Sequence, residues 1–328
     1  MIRHIVREFM RRAPFTSAGH LSVPLARQDD RTGSRMSTGG RRQEMTLDDL
    51  DSAALDFQIG NLDGWHGHVL ALPSWFEHSQ SPTSQAFRNQ MLRLWSAITG
   101  RTTYSPVEHE DTPEIADADA LVRPAFYASS DLHYAGAQII AMGHIVMRSG
   151  LVAGDRVLEY GAGFGQTALA LARLGAHVDT VDINPAFCKV VKRSAEHFLA
   201  SLTPHQGEFG LNPAGNDNAY KLVLFYESFH HCFDFFSLIE KLPSLLAPGG
   251  RVILAGEPIF DEHCPELPYP WGFRLDWENV AVMRHRGWME LGFQREFLLD
   301  LFAQAGFTCR VYTDPNSHWA TIYQFQQA

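Results

Sequence analysis

Between Val157 and Pro185 the chain reads VLEYGAGFGQTALALARLGAHVDTVDINP, a stretch that admits few folds. A short apolar strand, Arg156 to Tyr160, runs into Gly161, Gly163 and Gly165 at alternate positions, and an Ala/Leu helix opens at once and stops at Gly175. Glycines at such a turn remove the Cβ atoms that would hinder a tight reversal and the close approach of backbone to a ligand. A β-branched strand follows from His177 to Ile183, and Asn184-Pro185 supplies a cap and first turn for another helix.

The same alternation continues. KLVLFYE (Lys221 to Glu227) and RVILAGE (Arg251 to Glu257) read as strands around a helix from about Phe233 to Ala247, which is expected to end at Pro248-Gly249-Gly250. EFLLDLFAQAG is a helix stopped by Gly306, and FTCRVYT and HWATIYQF flank DPNS, a turn suited to an antiparallel hairpin. Alternating units of this kind predict an α/β fold, doubly wound, with a mostly parallel sheet covered on both faces and an antiparallel member at one edge.

Which ligand the loop cradles is decided by spacing and charge. A nicotinamide fingerprint places its third glycine three residues after the second; here that position is Gln166. Glu159, just before the loop, would repel two phosphates but suits a ligand carrying an ammonium and a sulfonium. Asp182 ends the second strand nineteen residues after Gly163, where a carboxylate in such folds accepts ribose hydroxyls. S-adenosylmethionine fits these features and NAD does not.

EYGAGFG, VDINP, YKLVLFYESFHHC and LLAPGGRVILAGEP, in this order, resemble the motifs of class I S-adenosylmethionine-dependent methyltransferases over roughly Ala153 to Phe325. The resemblance implies a seven-stranded Rossmann-like sheet with S-adenosylmethionine as cofactor. By position, Glu159, Gly161, Ala162, Gly163 and Gly165 would hold the methionine end, with Asp182 on the ribose and Ile183 beside it. Glu208 falls near the acid that meets the adenine amino group, although Pro204 is expected to interrupt the strand before it. Glu227 ends the fourth strand, at the cofactor rim. Lys221 departs from the family, which often has Asp there.

His230 and His231 follow the fourth strand on the rim where ligands bind in open α/β sheets. One of them could serve as general base for an acceptor proton; the pair could instead shape the methionine pocket. Glu257 ends the fifth strand on the same rim, placed either to orient an acceptor hydroxyl or to cap a loop. A metal held by the His pair with Asp234 and Glu257 is a third option, but no metal site is expected, because metal-ligand helix spacing is absent. Tyr127 and His133 precede the first strand, where family members often cover the cofactor.

Two helices are predicted before the sheet. One runs over Gln85 to Ile98, with Phe87, Met91, Leu94, Trp95 and Ile98 at helical spacing, and the other over about Asp131 to Ser149. Residues 1–44 carry nine Arg and read as a disordered extension, with a targeting segment as the alternative. Residues 45–150 then form a mainly helical cap region, and 151–328 the sheet domain. Within that domain an insert at 261–293 bears Trp271, Phe273, Trp277 and Trp288, an aromatic lid suited to a glycan or other polyhydroxylated acceptor, with a water-excluding hydrophobic cover or a dimer contact as the alternatives.

The net charge is −10 and only four Lys occur, which speaks against nucleic-acid binding. Four scattered cysteines point to a reducing, cytoplasmic setting, and no apolar run reaches the roughly 20 residues of a membrane span. The expectation is methyl transfer to a small-molecule or glycan acceptor, at oxygen. The alternatives are a protein or RNA methyltransferase, or a non-catalytic S-adenosylmethionine-binding domain.

Overall fold

A computed structural model describes residues 43–111 and 131–328. It begins with β1 (Gln43–Met45), α1 (Leu50–Ile59), β2 (His68–Leu70), α2 (Gln85–Thr99) and the single turn α3 (Pro106–His109). Residues 1–42 of the expected extension lie outside the described residues, as does Tyr127; Gln43 and Glu44 pair in β1 with β2. In α2 the Ser84 side chain accepts the Phe87 N–H, Gly100 closes the far end, and the five residues at helical spacing are buried. Next comes α4 (Leu132–Ser149), capped by the Asp131 carboxylate on the His133 and Tyr134 N–H groups.

The sheet domain then runs β3 (Arg156–Tyr160), α5 (Gln166–Arg173), β4 (His177–Asp182), α6 (Pro185–Phe198), β5 (Leu202–Gln206), β6 (Tyr220–Tyr226), α7 (Phe235–Leu245) and β7 (Leu246–Ala255). Around and within the insert at 261–293 lie β8 (Ile259–Phe260), β9 (Trp271–Phe273), α8 (Trp277–Arg286) and β10 (Leu291–Gln294). The chain closes with α9 (Arg295–Gln304), β11 (Phe307–Asp314) and β12 (Ser317–Gln327). Seven strands pair in the order β11-β12-β7-β6-β3-β4-β5; β12 is antiparallel to both neighbours and the inner strands are parallel. The strand order reverses between β3 and β6, and ligands of open α/β sheets bind outside the carboxyl ends at that reversal. The glycine loop and the His pair both leave the sheet there.

Two details correct the sequence reading. Pro204 does not interrupt its strand but sits within β5, tolerated because this is an edge strand with a neighbour on one side only. The helix before β7 ends at Leu245, and Pro248-Gly249-Gly250 begins the strand, with a register shift opposite Tyr220/Leu222.

The insert folds as a layer of its own, a three-stranded sheet of order β8-β10-β9 with α8 beside it. Trp271, Phe273 and Trp277 are buried in one core with Phe57, Phe87 and Trp95 of the N-terminal helices, so these rings pack rather than face a ligand. Polar ties cross the same boundary: Trp271 Nε1 donates to Pro82 O at 2.7 Å and Leu70 N to Leu275 O at 2.8 Å. Helix α4 packs elsewhere, its Ala141 and Ile145 joining the core on β12. No helix among the described residues is long and apolar enough to cross a membrane.

Candidate active site

Asp182 organises the cofactor side. Its Oδ2 accepts the Gly163 N–H at 3.0 Å and its Oδ1 the Asn184 N–H at 2.8 Å, so one carboxylate fastens the glycine loop to the start of α6. Burial pushes its pKa up to about 6, against the lowering effect of those two N–H groups. Gly161 and Gly163 hold φ of 63° and 53°. A Cβ on Gly161 would lie 2.5 Å from the Ser228 Cβ, so the loop closes onto the β6 rim; a Cβ on Gly163 would meet nothing, leaving a bare backbone face.

Glu159 is 3% exposed, and its Oε2 has no hydrogen-bond partner. Burial pushes this carboxyl up to about 8, eased by the N–H of Ala168 on α5. An orphaned carboxylate oxygen beneath the loop is what an ammonium-bearing ligand would satisfy. Beyond Asp182, a pocket of about 460 Å³ is lined by Val107, Ile183, Gln206, Gly207, Glu208, Phe209 and Leu211. The structure therefore brings Ile183 and Glu208 together in one pocket next to Asp182. Glu227 sits at the rim with φ of 50°, an uncommon conformation for a side-chain-bearing residue. Gln138 of α4 donates to it at 3.5 Å, and burial raises its pKa.

On the other side of the loop, Glu257 turns inward, its side chain 0% exposed. Its Oε1 accepts the N–H groups of Ser228 and Phe229 at 2.8 and 2.9 Å, and its Oε2 that of His230 at 3.2 Å. His230 Nδ1 lies 2.7 Å from the same Oε2. The His231 Nδ1 is 2.5 Å from Met289 O, and the Trp288 ring stands edge-on 6.1 Å away. Burial lowers both imidazole pKa values well below the ordinary histidine value, keeping both rings neutral at neutral pH. Glu290 faces this pair from the insert, with Oε2 paired to Arg274 and 3.9 Å from His230 Nε2.

Residues 157–250 match the family model described as a methyltransferase domain. The chain carries a class I S-adenosylmethionine-dependent methyltransferase domain. It is 28% identical over 151 residues to the ubiquinone biosynthesis O-methyltransferase of Sodalis glossinidius, covering 45% of this chain and 60% of that one. To the protein of the same name in Xanthomonas campestris pv. campestris (strain B100) it is 30% identical over 102 residues, covering 31% and 43%. The chain thus spans between two fifths and three fifths of these relatives. Among solved structures, the Burkholderia thailandensis 1,6-didemethyltoxoflavin-N1-methyltransferase, bound to its substrate and S-adenosylhomocysteine, aligns with TM-score 0.41 and 18% identity over 66% of this chain and 91% of that one.

Four buried or partly buried polar residues around this candidate site were not singled out in the sequence. Glu290 and Arg274 lie in the insert, and Glu290 is a lone charge between the apolar Met289 and Leu291, a signal that it is held for a reason. Gln138 is polar on the buried face of α4. Glu110, beside Glu108 and Asp111 in sequence, accepts the Tyr104 hydroxyl at 2.8 Å and is pushed up to about 8 by burial. His133 is exposed on α4.

Proposed function

We propose that this protein transfers the methyl group of S-adenosylmethionine to a hydroxyl of a small-molecule or glycan acceptor. The observation that carries the reading is Asp182, tied to the glycine loop at 3.0 Å and next to the pocket holding Ile183 and Glu208. Ionised Asp182 keeps lone pairs for two ribose hydroxyls, Glu159 meets the ammonium, and the loop from Gly161 through Ala162 and Gly163 to Gly165 lets backbone lie against the ligand. Glu208 takes the adenine amino group, and Glu227 closes the rim. When bound, S-adenosylmethionine supplies a methyl on a sulfonium, displaced in line with a neutral leaving group.

The chain's own contribution is positioning and exclusion of water, plus control of the acceptor's proton. His230 and His231 take that last role, each presenting an Nε2 lone pair while Nδ1 is held from behind. A lone pair so placed can take a hydroxyl proton, or hold a cation that makes the hydroxyl more acidic. Glu257 spends its oxygens on the turn 228–230 and on His230, so it acts as a positioning residue.

The test is incubation with methyl-labelled S-adenosylmethionine and fractionated cell extract. Label should enter low-molecular-weight or glycan fractions as an alkali-stable ether. Label confined to protein or RNA, or no transfer together with no binding of S-adenosylhomocysteine, would overturn the reading.

A further inference from the structure

We propose that His230, His231 and Glu290 form a binding site for one divalent transition-metal ion, a first-row ion of the zinc, iron, cobalt or manganese class. One ligand atom from each of the three residues lies within 4.8 Å of the others. Three observations on different elements converge on that point.

The first is how the imidazoles are held. A backbone carbonyl only accepts, so the proton of His231 sits on Nδ1, facing Met289 O, and its lone pair on Nε2. The Glu257 carboxylate already gathers three backbone N–H groups, so the Nδ1 of His230 donates to it as well and leaves Nε2 bare. A ring N–H given to a carboxylate or a carbonyl is the support that metal-binding histidines receive, since it fixes the tautomer and aims the other nitrogen.

The second observation is what that nitrogen meets. Among the described residues His230 Nε2 is buried without a hydrogen-bond partner, and so is Glu290 Oε1, on side chains 5% and 0% exposed. His230 Nε2 lies 3.9 Å from the other Glu290 oxygen, and two buried lone-pair-bearing groups this near each other form a place that a cation fills. The third is Arg274, which pairs with Glu290 Oε2. That pairing orients the carboxylate through one oxygen and leaves Oε1 to the ion.

Two imidazoles and one carboxylate favour transition metals over magnesium or calcium, which take all-oxygen shells. Bonds of about 2.0–2.2 Å bring tetrahedral ligands to roughly 3.3–3.5 Å apart, so side-chain rotations of about an ångström complete the site. Three protein ligands leave a position open, and an acceptor oxygen bound there becomes more acidic. This last role, unlike ion binding itself, rests on the methyl-transfer reading. No spacing rule could find the site, because Glu290 arrives from the insert, fifty-nine residues beyond His231.

The experiment uses the full chain, free of any affinity tag and dialysed against chelator. Zn²⁺ is followed by titration calorimetry, Co²⁺ by its visible absorption and Mg²⁺ as the contrast. One Zn²⁺ or Co²⁺ per chain is expected, with Mg²⁺ at least a hundredfold weaker. His230→Ala, His231→Ala and Glu290→Gln should each weaken Zn²⁺ by tenfold or more, while thermal stabilisation by S-adenosylhomocysteine reports which variants fold. No stoichiometric ion on the wild-type chain overturns the site whatever the variants do. So does unchanged affinity in a folded His231→Ala or Glu290→Gln. Stoichiometric Zn²⁺ without any binding of S-adenosylhomocysteine upholds the site and removes the methyl-transfer role.

Discussion

His230 Nδ1 and Glu257 Oε2 lie 2.7 Å apart, two side chains at the carboxyl ends of adjacent strands with almost no exposure between them. The contact belongs to a larger arrangement. Glu257, at the end of β7, gathers the N–H groups of Ser228, Phe229 and His230 as they leave β6, so the rim of one strand is fastened to the next through a single carboxylate. Ser228 in turn donates through Oγ to Tyr160 O at 2.8 Å, which extends the tie to the start of the glycine loop.

Removing that carboxylate should be costly. Glu257→Ala leaves three buried N–H groups and one imidazole N–H without an acceptor, and about 3–5 kcal/mol of stability should go with them. Glu257→Gln keeps one acceptor oxygen and should lose roughly half as much. Urea unfolding at unchanged m-value measures both; an alanine variant within about 1 kcal/mol of wild type would show that water replaces the carboxylate.

At Gly161 the constraint is steric and conformational together. Its φ is 63°, and a Cβ would stand 2.5 Å from the Ser228 Cβ. Gly161→Ala should therefore cost about 1–3 kcal/mol and weaken S-adenosylhomocysteine, because either the loop or the turn at 228 must move. Wild-type affinity in calorimetry would mean that the loop is free to shift.

Trp271 tests whether the insert and the N-terminal helices are one cooperative unit. Its ring is wholly buried against Phe87 and Phe235, and its Nε1 donates to Pro82 O. Trp271→Ala should cost about 3–5 kcal/mol and leave a single unfolding transition at lower temperature. Two separated calorimetric transitions would instead show that the insert layer melts apart from the sheet.

What the sequence disclosed follows from which interactions are local. The glycine loop, Asp182, the helix over Gln85 to Ile98 and the closing hairpin are written in short-range spacing, and each took its expected place. Tertiary pairing overrode local signals at Pro204, which lies within a strand, and at Pro248-Gly249-Gly250, where the strand expected from Arg251 begins five residues earlier at Leu246. The insert was legible as aromatic but not as packed. Whether Trp271 faces a ligand or Phe87 depends on a contact across 184 positions, which carries no periodic trace. The same holds for Glu290 opposite His230, and for Gln138 opposite Glu227.

The last prediction concerns pH. Asp182 must be ionised to accept two ribose hydroxyls, yet in the ligand-free protein burial raises its pKa from 3.8 to about 6. A folded-state carboxyl raised in this way disfavours the folded form increasingly as pH climbs from about 4 to about 6, and bound ribose hydroxyls relieve that penalty by stabilising the charge. The Asp182 contribution to S-adenosylhomocysteine affinity should therefore rise with pH and level off above about pH 6, while ionisation of Glu159, pushed up to about 8, adds a further rise beyond it. At pH 5 roughly one tenth of the protein holds Asp182 ionised, so binding there should be about tenfold weaker than at pH 7. Asp182→Asn removes this titrating charge; its affinity should lie at least tenfold below wild type at pH 7 and depend less steeply on pH between 5 and 7, keeping only the Glu159 contribution. Calorimetric titrations of both proteins at three pH values decide the matter. A wild-type profile as flat as that of the asparagine variant would mean that Asp182 does not carry the ribose contact, and an asparagine variant as pH-dependent as wild type would place the titration on another group.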